Sequence, residues 1–113
     1  MFKAQYPYEK RIQESKNIII KYPDRIPIIV EKYKDCKLKN IDKCKFLVPK
    51  DMSIGQFIYV IRKRIQLDST QTLFITINNK LPSSCHLLSQ IYDNDKDDDG
   101  FLYIIYTNEN TFG

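Results

Sequence analysis

The chain has 113 residues, a formal net charge of +4, 42% hydrophobic and 28% charged residues. That length suits one domain with a core of its own, so a large multidomain enzyme and a disordered chain are excluded. No run approaches roughly 18 apolar residues, no apolar leader opens the chain, and Cys36, Cys44 and Cys85 form no CxxC; a membrane span, a secretory signal and a disulfide-stapled toxin are not expected, and a reducing compartment is.

In chain order, Pro7 begins or breaks a short N-terminal turn or helix. Residues 9–21 read as a helix, with Ile12, Lys16 and Ile19 on one face and Glu14–Ile18 as an i, i+4 pair on another. Tyr22-Pro23 stops it, because the residue before proline is pushed out of the α region. Ile26–Val30 is a β-branched run and reads as a strand; Pro27 inside it has no N–H for a ladder, which predicts an edge or terminal position. Lys32–Lys45 is polar, basic and without periodicity, and reads as a loop. Phe46–Val48 is a second strand, ended by Pro49.

Residues 54–65 give the clearest helix. Ser53 and Gln56 fit a capping box, Ile54, Phe57, Ile58, Ile61 and Ile65 form a buried stripe, and Arg62, Lys63 and Arg64 suit the negative end of the helix dipole. Leu73–Ile77 is a strand, Asn78-Asn79 a turn and Leu87–Tyr92 a short helix. Phe101–Tyr106 is apolar at both parities, as a strand in mid-sheet would be. A helix, two strands, a crossing helix and two further strands predict an α+β domain of the β-grasp type, ubiquitin-like with additional N-terminal helices. The expected divisions are an N-terminal helical extension at 1–22, a core at 23–106 and a flexible tail at 107–113.

Charge is unevenly distributed. Residues 1–64 carry 16 Lys and Arg against 7 Asp and Glu, and residues 65–113 carry 2 against 7. A basic face of that kind attracts acidic peptides or anionic lipid. Nucleic acid is not an expected partner, since the basic residues are dispersed and no zinc finger or RNP-like aromatic motif accompanies them. The run Asp93–Asp99 lacks the DxDxDG register of a calcium loop and predicts a solvated acidic loop. Cys85-His86 are neighbours in sequence, a poor arrangement for a nucleophile and its base, and Cys36, Cys44, Cys85 and His86 lack zinc-ligand spacing. No catalytic residue, metal or cofactor is therefore expected.

Several blocks carry a resemblance. Tyr8-Glu9-Lys10-Arg11, Lys21 through Lys32, Asp42 through Pro49, Ser53 through Phe57, Ile61 through Ile65, Phe101-Leu102-Tyr103 and Phe112-Gly113 resemble, in order and at near-constant spacing, the autophagy ubiquitin-like modifiers. That family includes the GABA-receptor-associated protein and microtubule-associated light chain three. The resemblance covers essentially the whole chain. It implies a non-catalytic modifier, activated at its C-terminal glycine and passed by E1-like and E2-like enzymes to the amine of phosphatidylethanolamine. Gly113 takes that role by position; without a Cβ it suits a tail threaded through a narrow enzyme channel. Family precursors often run past this glycine and are trimmed or delipidated by a cysteine protease; the sequence here stops at Gly113, as a mature form would.

The resemblance further implies docking of receptors with aromatic-x-x-aliphatic motifs by strand addition at Lys45–Val48. The aromatic pocket maps onto Glu14, Ile18, Pro27, Ile29, Lys45, Leu47 and Phe101, and the aliphatic pocket onto Phe46, Val48, Pro49, Met52, Phe57, Val60 and Ile61. Arg25, Lys43, Lys45 and Arg64 would meet an acidic flank. Read without the resemblance, Phe57 and Ile61 belong to a core stripe. Met52 and Val60 stand where leucine is usual, Tyr6 where histidine is common, and Gly100 replaces a bulky residue, an expected loosening before Phe101. The implied partners are conjugation enzymes, a processing protease, cargo receptors and a membrane reached through the lipid. A monomer is expected, cytoplasmic when free and on autophagosomal or vesicle membrane when lipidated. The competing reading is a non-lipidated ubiquitin-like adapter in vesicle trafficking or cytoskeletal attachment.

Overall fold

Two prolines punctuate the N-terminal segment. Pro7 occupies the N-cap of a 14-residue helix, α2 (Tyr8–Lys21), and separates it from the one-turn helix α1 (Phe2–Gln5). The computed structural model describes residues 1–108. After Pro23 the chain enters β1 (Arg25–Lys32), then β2 (Lys45–Pro49), α3 (Ile54–Arg64), β3 (Phe74–Thr76), α4 (Leu88–Asp95) and β4 (Leu102–Thr107). The strands form one mixed sheet in the order β2-β1-β4-β3. β1 and β4 are parallel, and β2 and β3 flank them antiparallel.

The sheet separates two apolar clusters, as the alternation of strand side chains requires. Ile26, Ile28 and Val30 of β1 and Leu102, Ile104 and Tyr106 of β4 face Ile54, Phe57, Ile61 and Ile65 of α3 and Leu88 and Ile91 of α4. On the opposite face Ile29 and Phe101 pack with Phe2 of α1 and Ile18 of α2. Local signals behave as expected where they are strong. Ser53 Oγ accepts from Gln56 N at 3.1 Å while Gln56 Oε1 accepts from Ser53 N at 2.9 Å, closing the capping box. Asn78 and Asn79 take φ of 52° and 64° in a tight turn closed by Ile77 and Lys80.

The structure refines or corrects several expectations. β1 is an interior strand, so of the two positions expected for Pro27 the edge is excluded, while the terminal one fits its place just ahead of the β4 ladder. Val30 N–H donates to Cys44 O and Lys50 N–H to Asp24 O, so by alternation the even-numbered residues of β1 bond β2 and Pro27 faces the β4 side. β4 registers only from Ile28 onward, so the missing N–H of Pro27 has no ladder partner to lose. The docked face of α2 carries Ser15 and Ile18; Ser15 is buried, Ile18 packs against the Phe2–Ile29–Phe101 cluster, and Ile19 is 41% exposed. The segment between Lys32 and Lys45 is a loop, as expected, and Cys36 and Leu38 anchor it in the core between its lysines. The acidic run is not simply solvated: Asp93–Asp95 form the last turn of α4, and Asp99 is 0% exposed. The final strand also starts and ends one residue later than expected, with Thr107 opposite Phe74.

Candidate functional site

β2 is the outer strand on its side of the sheet. The same two hydrogen bonds that phase β1 make Phe46 and Val48 bond inward, so the backbone groups of Lys45 and Leu47 face the open edge. Arg25 Nη1 already donates to the Leu47 carbonyl at 3.3 Å. An unpaired edge is a template for another extended chain.

α2 forms one wall beside this edge. Glu14 accepts an ion-paired hydrogen bond from Lys45 Nζ, tying the helix to β2. Ile18, Ile29 and Phe101 lie in one cluster next to this bridge, and Pro27 is opposite Leu47. The structure thus gathers the predicted aromatic-pocket residues at one end of the edge. Ile29 and Phe101 are fully buried and serve as its floor. Phe2 joins them, its ring centroid 5.3 Å from that of Phe101 and edge-on to it. Sequence reasoning missed Phe2, because nothing in a four-residue helix before a proline signals a core contact.

On the other side Pro49, Met52 and Val60 line an open cleft of about 770 Å³ together with Asp51, Tyr59 and Ser84. Phe46 and Val48 are buried behind it, and Phe57 and Ile61 are at 0% exposure in the core. These last two can shape a pocket from beneath but present no surface. Of the predicted flank cations, Arg25 is exposed next to Leu47, while Lys43 and Arg64 stand over the Phe46 ring at 4.9 and 5.5 Å. Arg64 also pairs with Asp42 at 3.2 Å. The edge strand is therefore bordered by apolar depressions with cations close by, an arrangement suited to an extended peptide with alternate apolar side chains and acidic neighbours.

A buried carboxylate holds the helical wall in place. Asp99 Oδ2 accepts from Arg11 Nη1 at 2.6 Å and from Tyr103 OH at 2.5 Å, and Oδ1 accepts from Phe101 N at 2.9 Å. Its carbonyl accepts from Ser15 Oγ at 2.5 Å. Burial, and then the bond to Asp99, push the Tyr103 phenol well above its ordinary range. Gly100, at φ +89°, faces Ser15: a Cβ there would overlap the Ser15 hydroxyl and lie 3.0 Å from Ser15 Cβ. The glycine is thus a close-approach residue that seats α2, not the loosening expected from the sequence. Arg11 and Ser15 share a helix face at i, i+4 spacing, a signal that was present, but their partner lies more than 80 positions away.

α1 is held by ion pairing. Lys3 Nζ donates to Asp97 Oδ1 at 2.5 Å, and Phe2 N donates to Glu31 Oε2 at 2.7 Å. Burial opposes ionisation of Asp97, but the Lys3 ammonium and the Asp99 N–H outweigh it and hold the carboxyl below its ordinary 3.8. Its stabilising contribution is complete above that value and is lost as pH falls through the lower folded pKa. The protection factors of the Ala4, Gln5 and Tyr6 amides, which divide out the intrinsic pH dependence of exchange, should therefore be constant from neutral pH down to about pH 4 and fall severalfold below it. Protection unchanged down to pH 2 would show that Lys3–Asp97 does not hold α1.

Cys36 is buried, Cys44 and Cys85 are exposed, and Ser83 Oγ lies 3.1 Å from Cys85 Sγ. Among the described residues no group of three or more His, Cys, Asp or Glu is placed to hold a metal ion. No described helix is long and apolar enough to cross a membrane. Gly113 lies outside the described residues.

Comparison with known proteins extends the picture. The family model described as autophagy protein Atg8 ubiquitin like matches residues 10–113. Autophagy-related protein 8c of Arabidopsis thaliana is 52% identical over 112 residues, covering 99% of this chain and 94% of the relative. Autophagy-related protein 8 of Pichia angusta is 53% identical, with 99% and 90% covered. Among solved structures, Trypanosoma brucei ATG8 superposes with a TM-score of 0.91 at 41% identity, covering 99% and 97% of the two chains. Plasmodium falciparum Atg8, solved in complex with a Plasmodium falciparum Atg3 peptide, superposes at 0.89 with 33% identity and 96% of each chain covered.

Proposed function

The chain belongs to the Atg8 family of ubiquitin-like autophagy proteins, and from that premise we propose that it is a modifier joined through Gly113 to phosphatidylethanolamine and a dock for receptors with aromatic-x-x-aliphatic motifs. The observation that carries the docking half is the open edge of β2, bordered by the Glu14–Lys45 bridge at one end and the Met52–Val60 cleft at the other. A peptide paired there would bond the backbone of Lys45 and Leu47, place its aromatic side chain over Ile18 and Phe101, and place its aliphatic one over Pro49, Met52 and Val60. Arg25, Lys43 and Arg64 would meet its acidic flank; Phe46, Val48, Phe57 and Ile61 would support the second pocket from within. The conjugation half is supported by a family match that runs through the terminal glycine.

The Atg3 peptide bound to the Plasmodium relative supports conjugation enzymes among the partners of this chain. An activating and a conjugating enzyme would carry Gly113 as a thioester. Attack by the lipid amine then forms the amide and releases the enzyme's thiol. This chain supplies the acyl group and no catalytic residue. A protease that trims or delipidates the tail completes the set. The free protein would be cytoplasmic and its conjugate would reside on autophagosomal membrane.

Leu47→Pro tests the docking half. Its N–H faces the open edge and is not used by the ladder, and proline is tolerated on edge strands. Thermal stability should change little, while affinity for an acidic aromatic-x-x-aliphatic peptide falls about tenfold with the loss of one backbone hydrogen bond. Calorimetric titration that finds unaltered affinity in the folded variant would exclude strand addition at this edge.

A further inference from the structure

β1 and β4 are parallel, so both end at the same margin of the sheet. The segment after β1 folds back over that margin. Tyr33 N donates to Tyr106 O at 2.8 Å, Tyr106 OH donates to Lys39 O at 2.6 Å, and Cys36 Sγ lies 3.5 Å from Asn108 Oδ1. With Cys36 and Leu38 turned into the core, Lys34, Lys37 and Lys39 are exposed around the last described residues. Lys39 Nζ donates to Gln66 Oε1 at 2.9 Å, bringing the basic last turn of α3 to the same margin. Residues 33–44 carry four lysines against two aspartates, and one of those, Asp42, is engaged by Arg64.

Gly113 follows Asn108 by five residues, a reach of at most about 18 Å even when fully extended. A lipid joined to Gly113 therefore tethers this margin no more than about 18 Å from the headgroups, which lets the lysine side chains come within the single Debye length, about 8–10 Å, over which charge is felt. We propose that Lys34, Lys37 and Lys39 form a contact surface for the anionic phospholipid headgroups of the bilayer that receives the conjugate, a reading that rests on Gly113 as the point of lipid attachment. The surface has no pocket. Flexible ammonium groups on an anchored loop suit a fluid layer of phosphates better than a fixed partner. It would set which side of the domain faces the membrane.

The test uses the full, unconjugated chain in co-sedimentation with vesicles of phosphatidylcholine alone or with about one-third phosphatidylserine, at low and high salt. Binding should require phosphatidylserine, weaken with salt, and fall about tenfold or more in the Lys34→Gln, Lys37→Gln, Lys39→Gln triple variant. Removing equal charge from α2, as Lys10→Gln, Lys16→Gln, Lys21→Gln, should leave at least half of it. Lys34→Glu with Lys37→Glu repeats the test without disturbing the Lys39–Gln66 bond. Equal loss in both triples, indifference to phosphatidylserine, or lysine-dependent binding to an RNA oligonucleotide with none to vesicles would overturn the proposal. Because the unconjugated chain is used, a missing lipid adduct on Gly113 would count against the conjugation reading and is scored separately.

Discussion

Gly113→Ala is expected to abolish lipid conjugation, lowering its rate by on the order of a hundredfold or more, while the fold and peptide affinity remain those of the parent chain. The reasoning is steric. The tail's carbonyl carbon has to reach an enzyme thiol and then a lipid amine in line with the attacking group, and a displacement of about 1 Å at a reacting centre costs on the order of a hundredfold. Glycine permits backbone conformations and close approaches that a Cβ forbids. The measurement is reconstitution with the family's activating and conjugating enzymes, ATP and phosphatidylethanolamine liposomes, read by mass spectrometry. An adduct on Gly113 in the parent chain and none in the variant is the expected result. Absence of both thioester and adduct in the folded parent, with enzymes competent on another substrate, would exclude the modifier reading and leave a groove-bearing adapter.

Gly100→Ala is expected to cost about 2–5 kcal/mol of folding stability. Two terms contribute. A non-glycine residue at φ +89° pays about 1–2 kcal/mol for its left-handed backbone, and forcing a methyl into a filled site adds about 1–3 kcal/mol. Something must shift, and Ser15 is not free to do so, because its hydroxyl donates to the Asp99 carbonyl and is buried with it. Denaturant unfolding would report the change. Ser15→Gly has its own cost in helix propensity and in the lost bond to the Asp99 carbonyl, so a double-mutant cycle is needed: the cost of Gly100→Ala should be smaller in the Ser15→Gly background by the contact term, leaving the backbone term. A loss below 1 kcal/mol in the single variant would mean that α2 can lift from the sheet at little cost, and the helical wall of the peptide edge would then be adjustable.

The behaviour of these two glycines divides the protein into what was legible along the chain and what was not. The helices were legible because a 3.6-residue period, a Ser53–Gln56 box and proline punctuation are local. The Asn78-Asn79 turn and the doubly apolar last strand were legible for the same reason. The order of elements was enough for the fold class, since a crossing helix between strand pairs admits few packings. The peptide edge and the conjugation glycine were named through resemblance; the residues alone offered a core stripe and a terminal glycine.

What the chain determines locally is each element and its apolar face. Which faces meet is settled by packing between segments distant in the chain. Pro27 reads as an edge signal because a missing N–H is costly in a ladder, yet it lies in an interior strand, because β4 begins one residue after it. Asp99 reads as one more charge in a solvated run, yet it is fully buried, because Arg11 from α2 joins the neighbouring Tyr103 hydroxyl and Phe101 amide at its oxygens. A buried charge is stable only with partners, and partners 88 positions apart leave no periodicity for a sequence to display.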